Sequence, residues 1–421
     1  MRVNMIAIVM EKICFVVCQY GDDVNGGAEV HCKMLAERLS SYYKVDIITT
    51  KIINYHTFEE YYTTSHEIIN DINVFRFSTM PFDAELHNQW RKRTKWPRKF
   101  RRTLFRVGLL RPIAKIFPIW NFGVGKEIEM VKTHGFYSAD LLTYLRDHKD
   151  DYKAIIFMTY YWSHTIFGSM IAPEKSILIP TAHNESDLFR PIQTHVFTKV
   201  KHIAFNTEEE QKLAENIFGS KMSDHSIVAV GVEMNADIPS KEELYEKFSL
   251  PEMYILYFGR ISHSKNVDTL IAWFIDYKRK YPSELKLVLT GRLFQDKIDH
   301  PDVMYTGFVT EGEKLGLIKH AKLVVNPSKH ESLSLLLLEA MKLGKTVLVN
   351  GRSEVMKAHC IKSGFAADYY LSKRDFENKM QQYVFGDKAI NGDNDKAIAY
   401  VTQYYDWDVI INRLKNIISC M

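Results

Sequence analysis

The sequence predicts an α/β protein built from two doubly wound domains in tandem. Short apolar strands alternate with helix-length amphipathic stretches, the pattern of parallel sheets covered on both faces. That cycle breaks near residues 230–239 and then starts again. A chain of 421 residues has room for two or three domains, and its composition is that of an ordinary globular enzyme.

KICFVVCQY opens the first series, with residues 13–18 as its buried strand. GDDVNGGAEV then turns into the helix EVHCKMLAERLSSYY and the strand KVDIITT. KAIIFMT, KSILIPTAHN and HIAFNT are the next strands, the last leading into the helical TEEEQKLAENIF. After SIVAVGVEMN the second series reads YILYFG, helix VDTLIAWFIDYKRKY, KLVLTG, VMYTGF, helix EGEKLGLIKHA, KLVVNPS, the helix of HESLSLLLLEAM, and KTVLVNG. YYDWDVIINRLKNII closes the chain as an amphipathic helix expected to pack back across the domain junction. The expected division is 1–231, 232–400 and a returning helix at 401–421. Ligands of open α/β sheets bind at strand carboxyl ends, so two facing domains are expected to hold the site in the cleft between them.

Several classes are disfavoured. The five cysteines are scattered, with no CxxC pair and no zinc spacing, which fits a reduced, cytoplasmic compartment. MRVNMIAIVMEKICFVV is interrupted by Glu11 and Lys12 and lacks a small-residue cleavage site, unlike a signal peptide. Residues 154–173 carry no Asp, Glu, Lys or Arg over about the length of a spanning helix. Thr159, Ser163, His164, Thr165 and Ser169 make that stretch too polar, and a strand followed by a buried helix is the expectation.

Two stretches carry chemistry. In YILYFGRISHSKNVDTL, a strand ends at Gly259, Arg260 follows at its carboxyl edge, and Lys265 precedes a helix. Two cations beside a helix N-terminus suit a phosphate; two solvated loop charges are the alternative. In HESLSLLLLEAM, four leucines bury a helix for which Ser332 or Ser334 is a natural N-cap. Glu331 then lies in the turn at a strand's carboxyl end and Glu339 projects from inside the helix. A carboxylate there can accept two hydroxyl hydrogen bonds from a ribose, or it can pair with a basic core neighbour.

Arg260-x4-Lys265 followed by Glu331-x7-Glu339 resembles the signature of the retaining glycosyltransferases with the GT-B fold, the large group 1 family. NGGAE, TAHNE, FNTEEEQKLAE, VGVEMN, FGRISHSKN, GFVTEGEKL and VNPSKHESLSLLLLEAM occur in that family's order, and VLVNGRSEVMKAHC extends the likeness to bacterial cell-surface polysaccharide members. The resemblance implies two Rossmann-like domains, the first binding acceptor and the second the nucleotide sugar. It implies that Arg260 and Lys265 neutralise the donor diphosphate, that Glu339 holds the ribose, and that Glu331 with the N–H groups of Ser334 and Leu335 faces sugar and phosphate. The strand end at 307–309 would lie by the base, Gly27 would let the first domain's loop approach the phosphates, and His183 would contact the sugar near the reacting carbon. A structural histidine at a strand end is the alternative for His183.

The family's Gly-aromatic-Gly turn is here Ser332-Leu333-Ser334. Serine loses easy access to positive φ, so a differently shaped loop is expected. The implied reaction moves a sugar from a nucleoside diphosphate to a glycan or lipid-linked acceptor, with retention. No cofactor or metal is expected: Asp406-x-Asp408 and Asp393-x-Asp395 read as a helix cap and a loop. A GT-B-fold epimerase and a non-catalytic sugar-nucleotide-binding scaffold at the membrane are the competing functions.

Residues 86–126 hold twelve Lys/Arg and no Asp/Glu, so the rest of a chain of net charge +4 carries −8. Within residues 90–116, cations interleave with Trp90, Trp96, Phe100, Phe105 and Leu109. This pattern suits an anionic membrane surface, with nucleic acid the disfavoured rival. The expected location is the cytoplasmic side, peripheral to the inner face of the membrane.

Overall fold

The computed structural model describes residues 10–386 and 394–421, Asn25 and His56 excepted. The chain forms two compact units. One runs to Ala229 and takes in Ile410–Met421, and the other is Val230–Val409.

The first unit is built on an eight-stranded sheet: β1 (Lys12–Val16), β2 (Lys44–Thr50), β3 (His66–Ile69), β4 (Ile72–Phe77), β5 (Ala154–Met158), β6 (Ser176–Ile179), β7 (His202–Phe205) and β8 (Asp224–Ile227). Its order is β3-β4-β2-β1-β5-β6-β7-β8. All neighbours are parallel except β3 and β4, which form an antiparallel hairpin. Central strands such as AIIFM are buried at every residue, which is why they read as unbroken apolar runs. Asp46 is buried inside β2 because the Lys12 ammonium, at 2.7 Å, and the Tyr152 hydroxyl, at 2.8 Å, satisfy it. Asn70 and Asp71, at φ 48° and 63°, make the tight turn of the β3–β4 hairpin.

The segment 154–173 is a strand, β5, followed by the buried helix Ser163–Gly168. Among the described residues no helix is long and apolar enough to cross a membrane. The basic segment folds as three helices, Ala84–Arg93, Lys95–Arg106 and Leu110–Ile116. Not all of its cations face solvent. Arg101 is fully buried and donates to the carbonyls of Arg190, at 3.1 Å, and Ile217, at 3.4 Å. Arg98 donates to Ser186 Oγ at 3.2 Å. These two anchor the segment to its own unit, leaving Lys92, Arg93, Lys95 and Lys99 among the exposed cations.

The second unit carries a six-stranded parallel sheet: β9 (Tyr254–Phe258), β10 (Lys286–Thr290), β11 (Val303–Gly307), β12 (Leu323–Asn326), β13 (Val347–Asn350) and β14 (Asp368–Tyr370). Its order, β11-β10-β9-β12-β13-β14, reverses direction between β9 and β12. In open α/β sheets such a reversal point, at the strands' carboxyl ends, is where ligands bind. The final helix, Trp407–Ser419, begins among the residues of the second unit, and from Ile410 onward it belongs to the first.

Candidate active site

The β9/β12 reversal point is where the second unit's predicted residues gather. The carboxyl ends of β9, β10 and β11 are tied by two backbone bonds, Gly259 N–H to Thr290 O at 2.9 Å and Gly291 N–H to Gly307 O at 2.8 Å. Gly291, at φ 131°, is required: a Cβ there would overlap the Gly259 carbonyl. The Tyr257 hydroxyl donates to the Arg260 carbonyl at 2.8 Å, holding the turn that carries Arg260. The half-buried Arg260 guanidinium is paired with no carboxylate among the described residues. Lys265 ends a short turn, Asn266 follows in the left-handed region at φ 60°, and the helix Val267–Lys280 begins. Lys265 Nζ lies 2.7 Å from Glu331 Oε1. Adjacent parallel strands therefore bring together two residues 66 positions apart in sequence.

The loop after β12 is held by side chains. Asn326 accepts from Ser328 N–H at 3.0 Å and donates to Ser334 Oγ, also at 3.0 Å. Asn266 and Asn350 both donate to the Pro327 carbonyl, at 3.2 and 3.0 Å. Ser334 caps the helix Leu335–Lys342, its Oγ accepting from Leu337 N–H at 3.4 Å. Ser334 sits at φ 77°, so the serine takes the left-handed backbone despite the expectation of a differently shaped loop. That conformation costs about 1–2 kcal/mol for a residue with a Cβ, and the two hydrogen bonds to its hydroxyl offset it. The first N–H groups of this short helix have no intrahelical acceptors and point out of its N-terminal end.

Glu339 is buried inside that helix, and its partner is Lys314, whose Nζ lies 3.0 Å from Oε1. Lys314 also pairs with Glu311 at 2.9 Å. Of the two readings left open by the sequence, pairing with a basic neighbour is therefore realised. Oε2 has no hydrogen-bond partner among the described residues, so one oxygen remains to accept from a ligand hydroxyl. Burial pushes the Glu339 carboxyl up from its ordinary range, and the Lys314 ammonium pulls it partly back. Burial alone would lower Lys314, but the carboxylates of Glu339 and Glu311 outweigh it and raise the ammonium's pKa.

Val309 follows the end of β11, half-buried, immediately before the Thr310 cap of the helix Glu311–His320 that carries Lys314. Beside it the ring of Phe308 is 64% exposed, with the Arg292 guanidinium 5.7 Å from its centroid. In the first unit, Gly27 is the first residue of the helix Gly27–Leu39, and a Cβ there would meet nothing within 4 Å. Gly26 is the tighter position, where a Cβ would displace the Glu29 carboxylate. His183 is half-buried with Nε2 3.4 Å from Glu185 Oε2, and Glu185 Oε1 accepts the Tyr160 hydroxyl at 2.8 Å. Asp406 accepts from Asp408 N–H at 2.9 Å at the start of the last helix, and Asp393 lies outside the described residues.

Lys314, Asn326 and Asn350 were not singled out in the sequence, and Phe308 only as part of the strand end at 307–309. Lys314 sits in an ordinary charged helix, and only the fold brings it to Glu339. An exposed aromatic at a strand's carboxyl end, as at Phe308, is a signal that could have been used.

Residues 240–388 match the model of the family described as glycosyl transferases group 1. The serotype-specific mannosyltransferase WbdA of Escherichia coli is 31% identical over 119 residues, a quarter of this chain but only 15% of that relative's length. The uncharacterized glycosyltransferase MJ1607 of Methanocaldococcus jannaschii is 23% identical over 378 residues, covering 82% of this chain and 83% of its own. Among solved structures, Anabaena HepE in complex with UDP and glucose superposes with a TM-score of 0.65 at 14% identity, covering 98% of this chain and all of its own. By its match over residues 240–388 the second unit is similar to the group 1 glycosyl transferases, and by its two Rossmann-like sheets the chain has the GT-B fold.

Proposed function

We propose that the protein transfers a hexose from a nucleoside-diphosphate sugar to a glycan or lipid-linked saccharide, with retention, in the building of a cell-surface polysaccharide. The observation that carries this reading is at the β9/β12 reversal, where the Lys265–Glu331 pair joins the turn after β9, which also carries Arg260, to the loop that leads into the Leu335–Lys342 helix. HepE is solved with UDP and glucose bound, and WbdA is a mannosyltransferase, which supports a hexosyl nucleotide as donor.

In this reading the donor diphosphate takes Arg260 and Lys265 as counter-charges, with the Ser334 and Leu335 N–H groups completing its shell. An ammonium has three donors, so Lys265 can serve a phosphate and keep Glu331 in place. Glu339 accepts a ribose hydroxyl at Oε2 while Lys314 holds Oε1. The base lies at the strand end by Phe308 and Val309. Gly27 and His183 of the first unit keep the phosphate-approach and sugar-contact roles that the resemblance implies.

Bond cleavage sends the electron pair of the C1–O bond to the leaving phosphate, whose developing charge Arg260 and Lys265 neutralise. The acceptor hydroxyl forms the new C1–O bond and gives its proton to that phosphate. Glu331 and Glu339 each sit on a separate ammonium, which supports a mechanism without a pair of carboxylates sharing one sugar. We assign charge neutralisation to these side chains rather than to a metal ion.

The same proposal places the enzyme peripherally on the cytoplasmic face of the membrane. Trp96 and Phe122 are 61% and 65% exposed, and Trp96 stacks on Phe100 with centroids 5.3 Å apart. Exposed rings among exposed Lys and Arg suit the headgroup layer of an anionic bilayer.

A thermal-shift panel of UDP, GDP and other nucleotide sugars tests the donor reading, because a ligand bound only by the folded state raises the midpoint. One sugar nucleotide should stand out and, with an acceptor supplied, yield a product whose anomeric proton coupling matches the donor's. A panel in which none shifts the midpoint, or an inverted product, would overturn the corresponding part.

A further inference from the structure

Behind the Ser332-Leu333-Ser334 turn lies a buried imidazole. His359, on the helix Glu354–Lys362, is 3% exposed, and its Nε2 lies 3.0 Å from the Leu333 carbonyl oxygen. Nδ1 faces two phenols, Tyr400 Oη at 2.9 Å and Tyr405 Oη at 3.4 Å. A carbonyl only accepts, so Nε2 carries the hydrogen and donates it to Leu333. Nδ1 is then the acceptor, and the Tyr400 hydroxyl donates to it. Burial keeps this imidazole neutral, pushing its pKa down to about 4, so the tautomer is set by its two partners.

The stretch from Pro327 to Ser334 has no regular structure after β12, and its shape depends on side chains reaching it from elsewhere. Asn266 and Asn350 hold its start at the Pro327 carbonyl, and Asn326 holds its end at Ser334 Oγ. His359 holds the residue just before that end, Leu333, which is only 4% exposed. An unfavourable backbone such as that of Ser334 persists only where its surroundings over-determine it. The bonds continue beyond the imidazole: the Tyr405 carbonyl accepts from Val232 N–H at 2.8 Å, at the start of the second unit.

We propose that His359 is a positioning residue for the donor, fixing through Leu333 the turn that presents Glu331 and the Ser334 and Leu335 N–H groups to a sugar nucleotide. Tyr400 acts one bond further back by setting the imidazole tautomer. The inference rests on the donor site proposed above for what the turn presents, but the imidazole's hold on the turn can be measured without any ligand.

Three variants test it: His359→Leu, His359→Gln and Tyr400→Phe. The glutamine amide nitrogen can reach the place of Nε2 and donate to Leu333, whereas leucine removes the donor and keeps the bulk. Deuterium exchange of amides 330–336 is followed in the ligand-free protein, and UDP and GDP affinities are measured well below the unfolding midpoint. In His359→Leu, exchange in 330–336 should quicken about tenfold while β9, β12 and β13 stay protected. Affinity should fall about fivefold or more, as expected for the loss of one buried hydrogen bond. His359→Gln should recover most of both, and Tyr400→Phe should fall between. Unchanged exchange and affinity in His359→Leu would overturn the inference, as would uniform loosening of the whole unit that glutamine does not rescue. If wild type binds no nucleoside diphosphate, the donor reading fails, and the exchange comparison still decides whether His359 sets the turn.

Discussion

A carboxylate placed directly after four leucines needs a partner, and Lys314 is that partner at 3.0 Å. Removing one member of such a buried pair leaves an uncompensated charge. Lys314→Met should therefore destabilise the second unit by about 3–5 kcal/mol in denaturant unfolding. Adding Glu339→Leu should recover most of that loss; a cost below about 1 kcal/mol for Lys314→Met alone would mean that Glu339 is solvated instead. The burial of Glu339 was legible from the leucines around it, but its partner was not. The 25 positions between Lys314 and Glu339 span a strand and a loop, and no local spacing rule connects them. Ser334 shows the opposite case. A side chain argued against positive φ, yet two hydrogen bonds to its hydroxyl, one from Asn326, hold it there.

Strands that are buried on both faces were legible because nothing polar interrupts them. β1, β5, β9, β10 and β12 all lie within the apolar runs that predict them. The β3–β4 hairpin was not found, because HEII and INVFRF are short, half-exposed strands and the Asn70-Asp71 turn is a weaker signal than Asn-Gly. The basic segment was legible as a charge anomaly, but not which cations it spends on its own fold. Arg101 is buried against backbone carbonyls, so only the exposed residues can test the membrane proposal. Replacing Lys92, Arg93, Lys95 and Lys99 by Gln should sharply reduce co-sedimentation with vesicles containing phosphatidylserine or phosphatidylglycerol, and added salt should mimic the change. Trp96→Ser with Phe122→Ser should reduce it in a salt-independent way. Binding that survives both sets would rule out these residues as the membrane-binding surface, and no co-sedimentation by wild type would rule the membrane out as a partner.

Across the whole molecule, the two-sheet architecture was legible from the restart of the strand–helix cycle, but the strand order was not, and the candidate residues of the second unit gather where its sheet reverses that order. The pKa shifts of buried histidines were not legible, because the depth of burial is a property of packing. His31, His134 and His164 are each held neutral by burial, with pKa pushed down to about 3. The unfolded chain takes up those protons below about pH 6.5, so each histidine's contribution is full above that value and is lost as the pH falls towards its folded pKa. His164→Leu removes one such proton, and the variant's stability should fall less steeply than wild type between about pH 6 and 4, by about 1.4 kcal/mol per pH unit. Parallel pH profiles would show that His164 is already protonated in the folded protein. The central claim remains that the β9/β12 reversal point binds a nucleoside diphosphate through Arg260 and Lys265. Calorimetric titration of UDP and GDP into wild type, Arg260→Ala and Lys265→Ala tests it most directly. Wild type should bind one of them saturably, and each variant should lose at least about tenfold in affinity, about 1.4 kcal/mol; equal affinity in all three proteins, or no binding by wild type, would contradict the claim.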